Sequence, residues 1–197
     1  MSMKRFYLIL RALRFDDKND RHIHRATDNL AAIRTVFGDF VFRCKSNYRV
    51  GEYSTIDEIL EVFRGRCLFR VYIANKPAKY DIKIYALVDA RTFYTSNLEI
   101  YSGKQPDGLC KVDNAASSVL KFVAASILNT GNNITMDNYF MSMPLAKELL
   151  EQKTTIVGAL RQNKKENPPL FLDTKIRPPC SSMFGFCKSG VLSPYIP

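Results

Sequence analysis

Cysteine is scarce in this chain and poorly placed for a structural role. There are five, an odd number, and no two form a CxxC pair. Cys44, Cys67 and Cys110 are far apart, and Cys180 and Cys187 stand seven positions apart. This speaks against a disulfide framework or a zinc module and for reduced intracellular thiols. Histidine is scarcer still. His22 and His24 form an HxH pair inside the polar stretch DDKNDRHIHRA, Asp16 to Ala26. With no third ligand nearby, they read as solvated loop residues. Long hydrophobic runs are missing too. Charges interrupt the N-terminal MSMKRFYLILRALRF, which lacks both the length of a membrane span and a small-residue cleavage site. No tract is of low complexity, so disorder is not expected. The expectation is an intracellular protein without a targeting peptide and without a membrane partner.

Acidic residues are outnumbered, 19 Asp and Glu against 29 Lys and Arg, which leaves a formal charge of +10. Such an excess favours a polyanionic partner, of which nucleic acid is the commonest; an inert basic surface is the bland alternative. The 197 residues, 46% hydrophobic, suit one globular domain with an appended piece.

Periodicity divides the chain. Phe6, Ile9, Leu10 and Leu13 recur at helical spacing. After the polar connector, Thr27 or Asp28 caps a second predicted helix whose face carries Leu30, Ile33, Phe37, Phe40, Val41 and Cys44. Strands are predicted at Gly51 to Leu60, at the apolar run Ile82 to Val88, and at Thr92 to Ile100. Ala115 to Leu128 reads as a helix stopped by Thr130-Gly131-Asn132. A strand at Ile134 to Asp137 runs into a helix with Ser142 as cap and Pro144 in its first turn, followed by a strand at Thr154 to Leu160. The proline-rich remainder reads as irregular. This order predicts a mixed α/β sheet: three meander strands, then parallel neighbours added by strand–helix–strand pieces, with helices on the faces.

Two features carry chemistry. Asp57 and Asp137 each end a predicted strand, 80 residues apart. If those strands are sheet neighbours, the carboxylates converge as hard oxygen ligands suited to Mg²⁺ or Mn²⁺. Carboxylates that cap turns or helices are the alternative. The second feature is FRGRCLFRVYIANKPAKYDIKIY, Phe63 to Tyr85, where Arg64, Arg66, Arg70, Lys76, Lys79 and Lys83 interleave with Phe69, Tyr72 and Tyr80. It suits phosphate contacts and base stacking, or equally a solvated strand face with its rings in the core. RQNKK at Arg161 to Lys165 adds a second basic group.

Several blocks together resemble one family. TIDE at Thr55 to Glu58, FRGR at Phe63 to Arg66, KPAKYDIKIY at Lys76 to Tyr85, MDNYFMSMPLAKELL at Met136 to Leu150 and TIVGALRQNKKENP at Thr155 to Pro168 look like a piggyBac-type DDE transposase. RFYLILRALRFDDK at Arg5 to Lys18 is similar too. The resemblance implies an RNase H-like core at 51–165, incomplete, preceded at 1–50 by part of a helical dimerisation and DNA-binding region and followed at 166–197 by the irregular start of an insertion. It implies that Asp57 and Asp137 match the first two metal-binding aspartates, with Mg²⁺ or Mn²⁺ as cofactor. It also implies that Arg161 and Lys164 match a DNA-contacting group, and that Arg64, Arg66, Lys76, Lys79 and Lys83 join them. The implied partners are transposon ends and TTAA targets, with a homodimer as the assembly and the nucleus as the compartment. The implied reaction is DNA cleavage and strand transfer.

Three departures temper these implications. No GGVD-like motif supplies the third catalytic aspartate, and the cysteine-rich C-terminal module is missing. Asp81 stands where the family's KYGIK block has glycine, adding charge to a strip expected to face phosphates, and Ala159 replaces a threonine. The expectation is therefore a transposase-derived DNA-binding fragment that is not catalytically competent by itself. An active transposase, if the gene continues, and a domesticated DNA-binding or dimerisation module are the alternatives.

Overall fold

The computed structural model describes residues 1–74, 76, 79–103, 127, 129–173, 178, 181–187, 190–192 and 195–196. The helix expected at Ala115 to Leu128 falls almost wholly outside them. The chain divides into two compact units. One comprises Met1–Arg49, Glu58–Ala86 and Thr95–Val112, and the other Val50–Asp57, Leu87–Tyr94 and Asp113–Pro197. Among the described residues no helix is long and apolar enough to cross a membrane.

In the first unit, α1 (Met3–Ala12) starts at Ser2, whose hydroxyl accepts from the Arg5 amide at 3.4 Å. Its predicted apolar face, Phe6, Ile9, Leu10 and Leu13, is exposed. The polar connector is not all loop, because Arg21–Thr27 forms the helix α2. Its entry is tied by a bidentate Arg21–Asp16 pair, both contacts at 2.5 Å. His22 and His24 are exposed on this helix, two positions apart, a spacing at which side chains do not face each other. The second predicted helix begins later than its sequence suggests. Asp28 accepts from the Leu30 amide and clasps Arg34 at 2.6 and 2.7 Å, and α3 runs from Arg34 to Ser46. Val41 is buried, whereas Phe40, expected on the same face, is 54% exposed. α3 packs against a strand, β4 (Thr95–Ile100), and Asn29 donates to the Ser102 carbonyl at 2.9 Å.

The sheet is six-stranded. β1 (Tyr53–Val62), β2 (Val71–Tyr72), β3 (Tyr80–Asp89) and β4 form its antiparallel part, with β3 between β1 on one side and β2 and β4 on the other. From Asp81 to Asp89 no residue of β3 is exposed, as its continuous apolar run requires. The two-residue β2 was not predicted. It pairs Val71 with Asp81 and Tyr72 with Tyr80. Asp81 is buried, on the same strand face as Lys83, Tyr85 and Leu87, so its charge is not added to an exposed basic strip.

In the second unit, β5 (Asn133–Met136) and β6 (Thr155–Gly158) extend the sheet in parallel beside the first half of β1. Between them α4 (Met143–Glu151) begins at the predicted cap, where Ser142 Oγ accepts from the Leu145 amide at 3.4 Å. Ile56, Ile134, Met136, Phe140, Leu145 and Leu149 are buried here. The strand expected to start at Thr92 starts at Thr95, because Asp89 captures the preceding residues in a turn. Its Oδ1 accepts from the amides of Arg91 and Thr92, each at 2.9 Å. The C-terminal stretch, expected to be irregular, holds short elements. They are α5 (Pro169–Leu172) and four short strands, β7 (Ser181–Ser182) paired with β10 (Tyr195–Ile196) and β8 (Gly185–Cys187) paired with β9 (Gly190–Leu192).

Candidate metal and nucleic-acid site

The condition set by the sequence, that the two aspartate-bearing strands be neighbours, is met. β1 and β5 are adjacent and parallel, with Thr55 opposite Thr135 and Ile56 opposite Met136. Asp57 and Asp137 each directly follow that last pair. Side chains alternate between faces along a strand. Ile56 and Met136 share the buried face, and Asp57 and Asp137 are both exposed on the other. Neighbouring strands lie about 4.8 Å apart, so the backbones that lead into Asp57 and Asp137 run side by side.

The local backbone is held firmly. Asp137 follows the last residue of β5, and its carbonyl accepts from the amides of Phe140 at 3.1 Å and Met141 at 3.2 Å. Phe140, 1% exposed, anchors this turn in the core. At the other end of the strands a polar brace fixes the register. Asn132 Nδ2 donates to the Gly51 carbonyl at 2.6 Å, the Asn133 amide donates to the Glu52 carbonyl at 2.8 Å, and the Thr155 amide donates to the Asn132 carbonyl at 3.0 Å. Gly158 is required on β6, since a Cβ there would collide with the Met136 carbonyl oxygen.

A cation adjoins the carboxylate turn. Arg161, just past β6, donates from Nε to Asn138 Oδ1 at 3.3 Å, and its guanidinium lies 5.6 Å from the centroid of the Tyr139 ring. Asn167 Nδ2 donates to the Arg161 carbonyl at 2.8 Å, which shapes the loop, and the Lys164 amide closes a turn onto the same carbonyl. The sequence named Asp137, Arg161 and Lys164 but not Asn138 or Tyr139. Both lie in the MDNYF block, but the partner that gives them a task, Arg161, comes only after β6.

The other basic candidates belong to the first unit. Arg64 and Arg66 are exposed after β1, and Lys76 and Lys79 are exposed between β2 and β3. Lys83 is committed within the protein. It pairs with Glu58 at 3.0 Å and lies 5.1 Å from the Tyr85 ring centroid. The rings divide. Tyr72 and Tyr80 are exposed, 5.2 Å apart, with the Arg70 guanidinium 4.3 Å from the Tyr80 centroid, whereas Phe69 is half-buried.

Two exposed carboxylates on one face are hard oxygen donors that suit Mg²⁺ or Mn²⁺, which bind through one or two carboxylates and keep several waters. The residues therefore fit such an ion as a two-carboxylate site. Among the described residues, no group of three or more His, Cys, Asp or Glu side chains could hold a metal ion.

Comparison with known proteins names the class. A family model described as Transposase IS4 matches residues 1–191, and the chain belongs to that family. Among solved structures it is similar to a piggyBac transposase, determined by cryo-EM as a synaptic complex with hairpin DNA. The TM-score is 0.86 and the identity 41%, over 95% of this chain and 39% of that one. The chain thus spans about two fifths of that transposase's length.

Proposed function

We propose that this chain is a DNA-binding part of a piggyBac-type transposase in which Asp57 and Asp137 hold a divalent metal ion, Mg²⁺ or Mn²⁺, against a DNA phosphate. The observation that supports this reading is the β1–β5 register, whose last pair, Ile56 and Met136, directly precedes Asp57 and Asp137, both exposed. The similar transposase, solved with hairpin DNA, supports DNA as the partner. When bound, a divalent ion supplies charge stabilisation to the attacking and leaving oxygens of a phosphodiester. The chain's own residues do the rest. Asp57 and Asp137 fix the metal position, and Arg161, steadied by Asn138 and Tyr139, offers a planar cation to a phosphate oxygen. Transposon ends and TTAA targets in the nucleus are the DNA this reading names, with a homodimer as the assembly.

On this reading the chain does not cleave DNA by itself, because its sequence offers two of the family's three metal-binding aspartates and no GGVD-like motif. The test pairs two measurements on the purified chain. Mn²⁺ binding followed by electron paramagnetic resonance should be measurable and weakened by Asp57→Asn. A TTAA-flanked duplex incubated with Mg²⁺ or Mn²⁺ should be bound but not nicked. Equal Mn²⁺ affinity in the parent and Asp57→Asn would remove the metal site from the reading. Nicking that Asp57→Ala abolishes would overturn the claim of incompetence and make the chain an active nuclease.

A further inference from the structure

The helical unit contains a cleft that none of the expected contacts accounts for. Its volume is about 190 Å³. Arg21 and Arg25 of α2 and Asn29 line one side, and Arg66, Cys67 and Phe69 of the segment after β1 line the other. Among the described residues, no carboxylate lines it. The cations come from elements more than 40 residues apart in sequence, so their convergence is a product of folding. The walls are fixed. Asn29 is bonded to the Ser102 carbonyl, Leu30 is 2% exposed, and Asp28 holds both the Leu30 amide and Arg34. Arg21 is also fixed, with Nε and Nη2 engaged by Asp16. Its charge is therefore offset, but its remaining N–H groups are not used by that pair. Arg25 and Arg66 are exposed, and no carboxylate of the lining offsets them.

We infer that this cleft is a phosphate-binding site, with Arg25 and Arg66 as the charge-bearing ligands and Arg21 as a pre-positioned donor. Arg25 and Arg66 line the cleft with no carboxylate of the lining beside them, and phosphate is an anion that guanidinium forks match well. The half-buried ring of Phe69 and the small side chains of Ala31 and Ala32 give the rest of the wall an apolar surface. Both a backbone phosphodiester of DNA and a free phosphate ion present that chemistry. The inference deepens the nucleic-acid reading by adding an anchor that needs no metal.

Cys67 gives a direct readout. It is a half-buried thiol in the lining, and Cys44, also half-buried and in no disulfide, is not part of the lining and serves as an internal control. The rate of alkylation at each is followed by peptide mass spectrometry with and without inorganic phosphate or a short DNA duplex. Occupancy should slow alkylation of Cys67 several-fold and leave Cys44 unchanged, and Arg25→Gln with Arg66→Gln should abolish that protection. Protection by both ligands, or by inorganic phosphate alone, supports a site for the free anion. Protection by DNA alone supports a backbone contact. In that case the slope of log affinity against log salt should fall by about 2 in the double variant, about 1 for each cation removed. An unchanged Cys67 rate at saturating phosphate and DNA would overturn the inference. The same measurement on the Asp57→Asn, Asp137→Asn protein separates the two readings, because protection should persist there even if the metal site does not exist.

Discussion

Gly158 is the position where packing and the candidate site meet, and replacing it with alanine tests both. It sits on β6 opposite Met136, the last residue of β5 before Asp137. A Cβ at Gly158 would overlap the Met136 carbonyl oxygen and come within 3.3 Å of the carbonyl carbon. These are backbone atoms, which cannot swing aside as the end of a long side chain can. The strands must separate, or β6 must rotate. Overpacking of this kind costs about 1–3 kcal/mol. For a chain of this length, a loss of about 2 kcal/mol lowers the melting temperature by about 4–8 °C.

The displacement has a direction that matters. It falls on the residue preceding Asp137, so the carboxylate moves with it and the Asp57–Asp137 spacing changes. Mn²⁺ affinity should fall several-fold in Gly158→Ala although no ligand has been removed. Gly38→Ala is the control. Gly38 lies inside α3, and nothing comes within 4 Å of a Cβ built there. That substitution should stabilise the protein by about 0.5–1 kcal/mol through helix propensity alone. The chain has no tryptophan and ten tyrosines, so melting is followed by far-ultraviolet circular dichroism or tyrosine emission. A Gly158→Ala protein that melts with the parent and binds Mn²⁺ equally well would refute the close approach and the mechanical link to Asp137.

Three further outcomes are expected. Asp57→Asn and Asp137→Asn should each weaken Mn²⁺ binding about tenfold or more, because affinity follows the number of ligand charges. Both side chains are exposed, so stability should stay within about 0.5 kcal/mol of the parent by denaturant titration. Asp89→Ala should destabilise by about 3 kcal/mol or more in the same titration. The buried carboxylate accepts from the amides of Gly51, Arg91 and Thr92, and all three donors would lose their partner. Hydrogen bonding from Arg21 holds the Asp16 carboxyl below its ordinary value. A carboxyl depressed in the folded state stabilises fully above its ordinary pKa, and that contribution is lost as pH falls through the depressed value. Carbon-13 titration of Asp16 should therefore show an acid-shifted midpoint that returns to the ordinary range in Arg21→Ala.

What was legible in the sequence was what alternation and caps encode. The strands at Tyr53–Val62, Tyr80–Asp89 and Asn133–Met136 were expected within a few residues, as was the helix that Ser142 caps. α2 was missed because its seven residues, RHIHRAT, carry no apolar stripe, and the Asp16–Arg21 pair at its entry is a tertiary feature. β2 was missed because two residues are too few for a period. The burial of Asp81 was missed for a different reason. A charged residue amid lysines and tyrosines reads as surface, and only the register of β3 puts it on the covered face with Tyr85 and Leu87.

The same reasoning explains why the two aspartates could be named but not joined from sequence. Whether two strand-end carboxylates meet depends on a register, and a slip of one residue would turn one of them to the buried face. Here the register is set by groups remote from the carboxylates. Asn132 and Asn133 lock onto Gly51 and Glu52 at one end of β1, and Thr155 locks onto Asn132. From those bonds to Asp57 and Asp137 the strands run four residues with Ile56, Ile134 and Met136 buried, which admits no other alignment of the apolar face. The residues that place the site are thus asparagines and a threonine with no chemistry of their own in it. The residues with the chemistry are exposed, Asp57 within β1 and Asp137 just past β5. Substitution of Asn132, whose side chain donates to the Gly51 carbonyl, should therefore disturb the site through register, and substitution at the carboxylates should disturb it through charge.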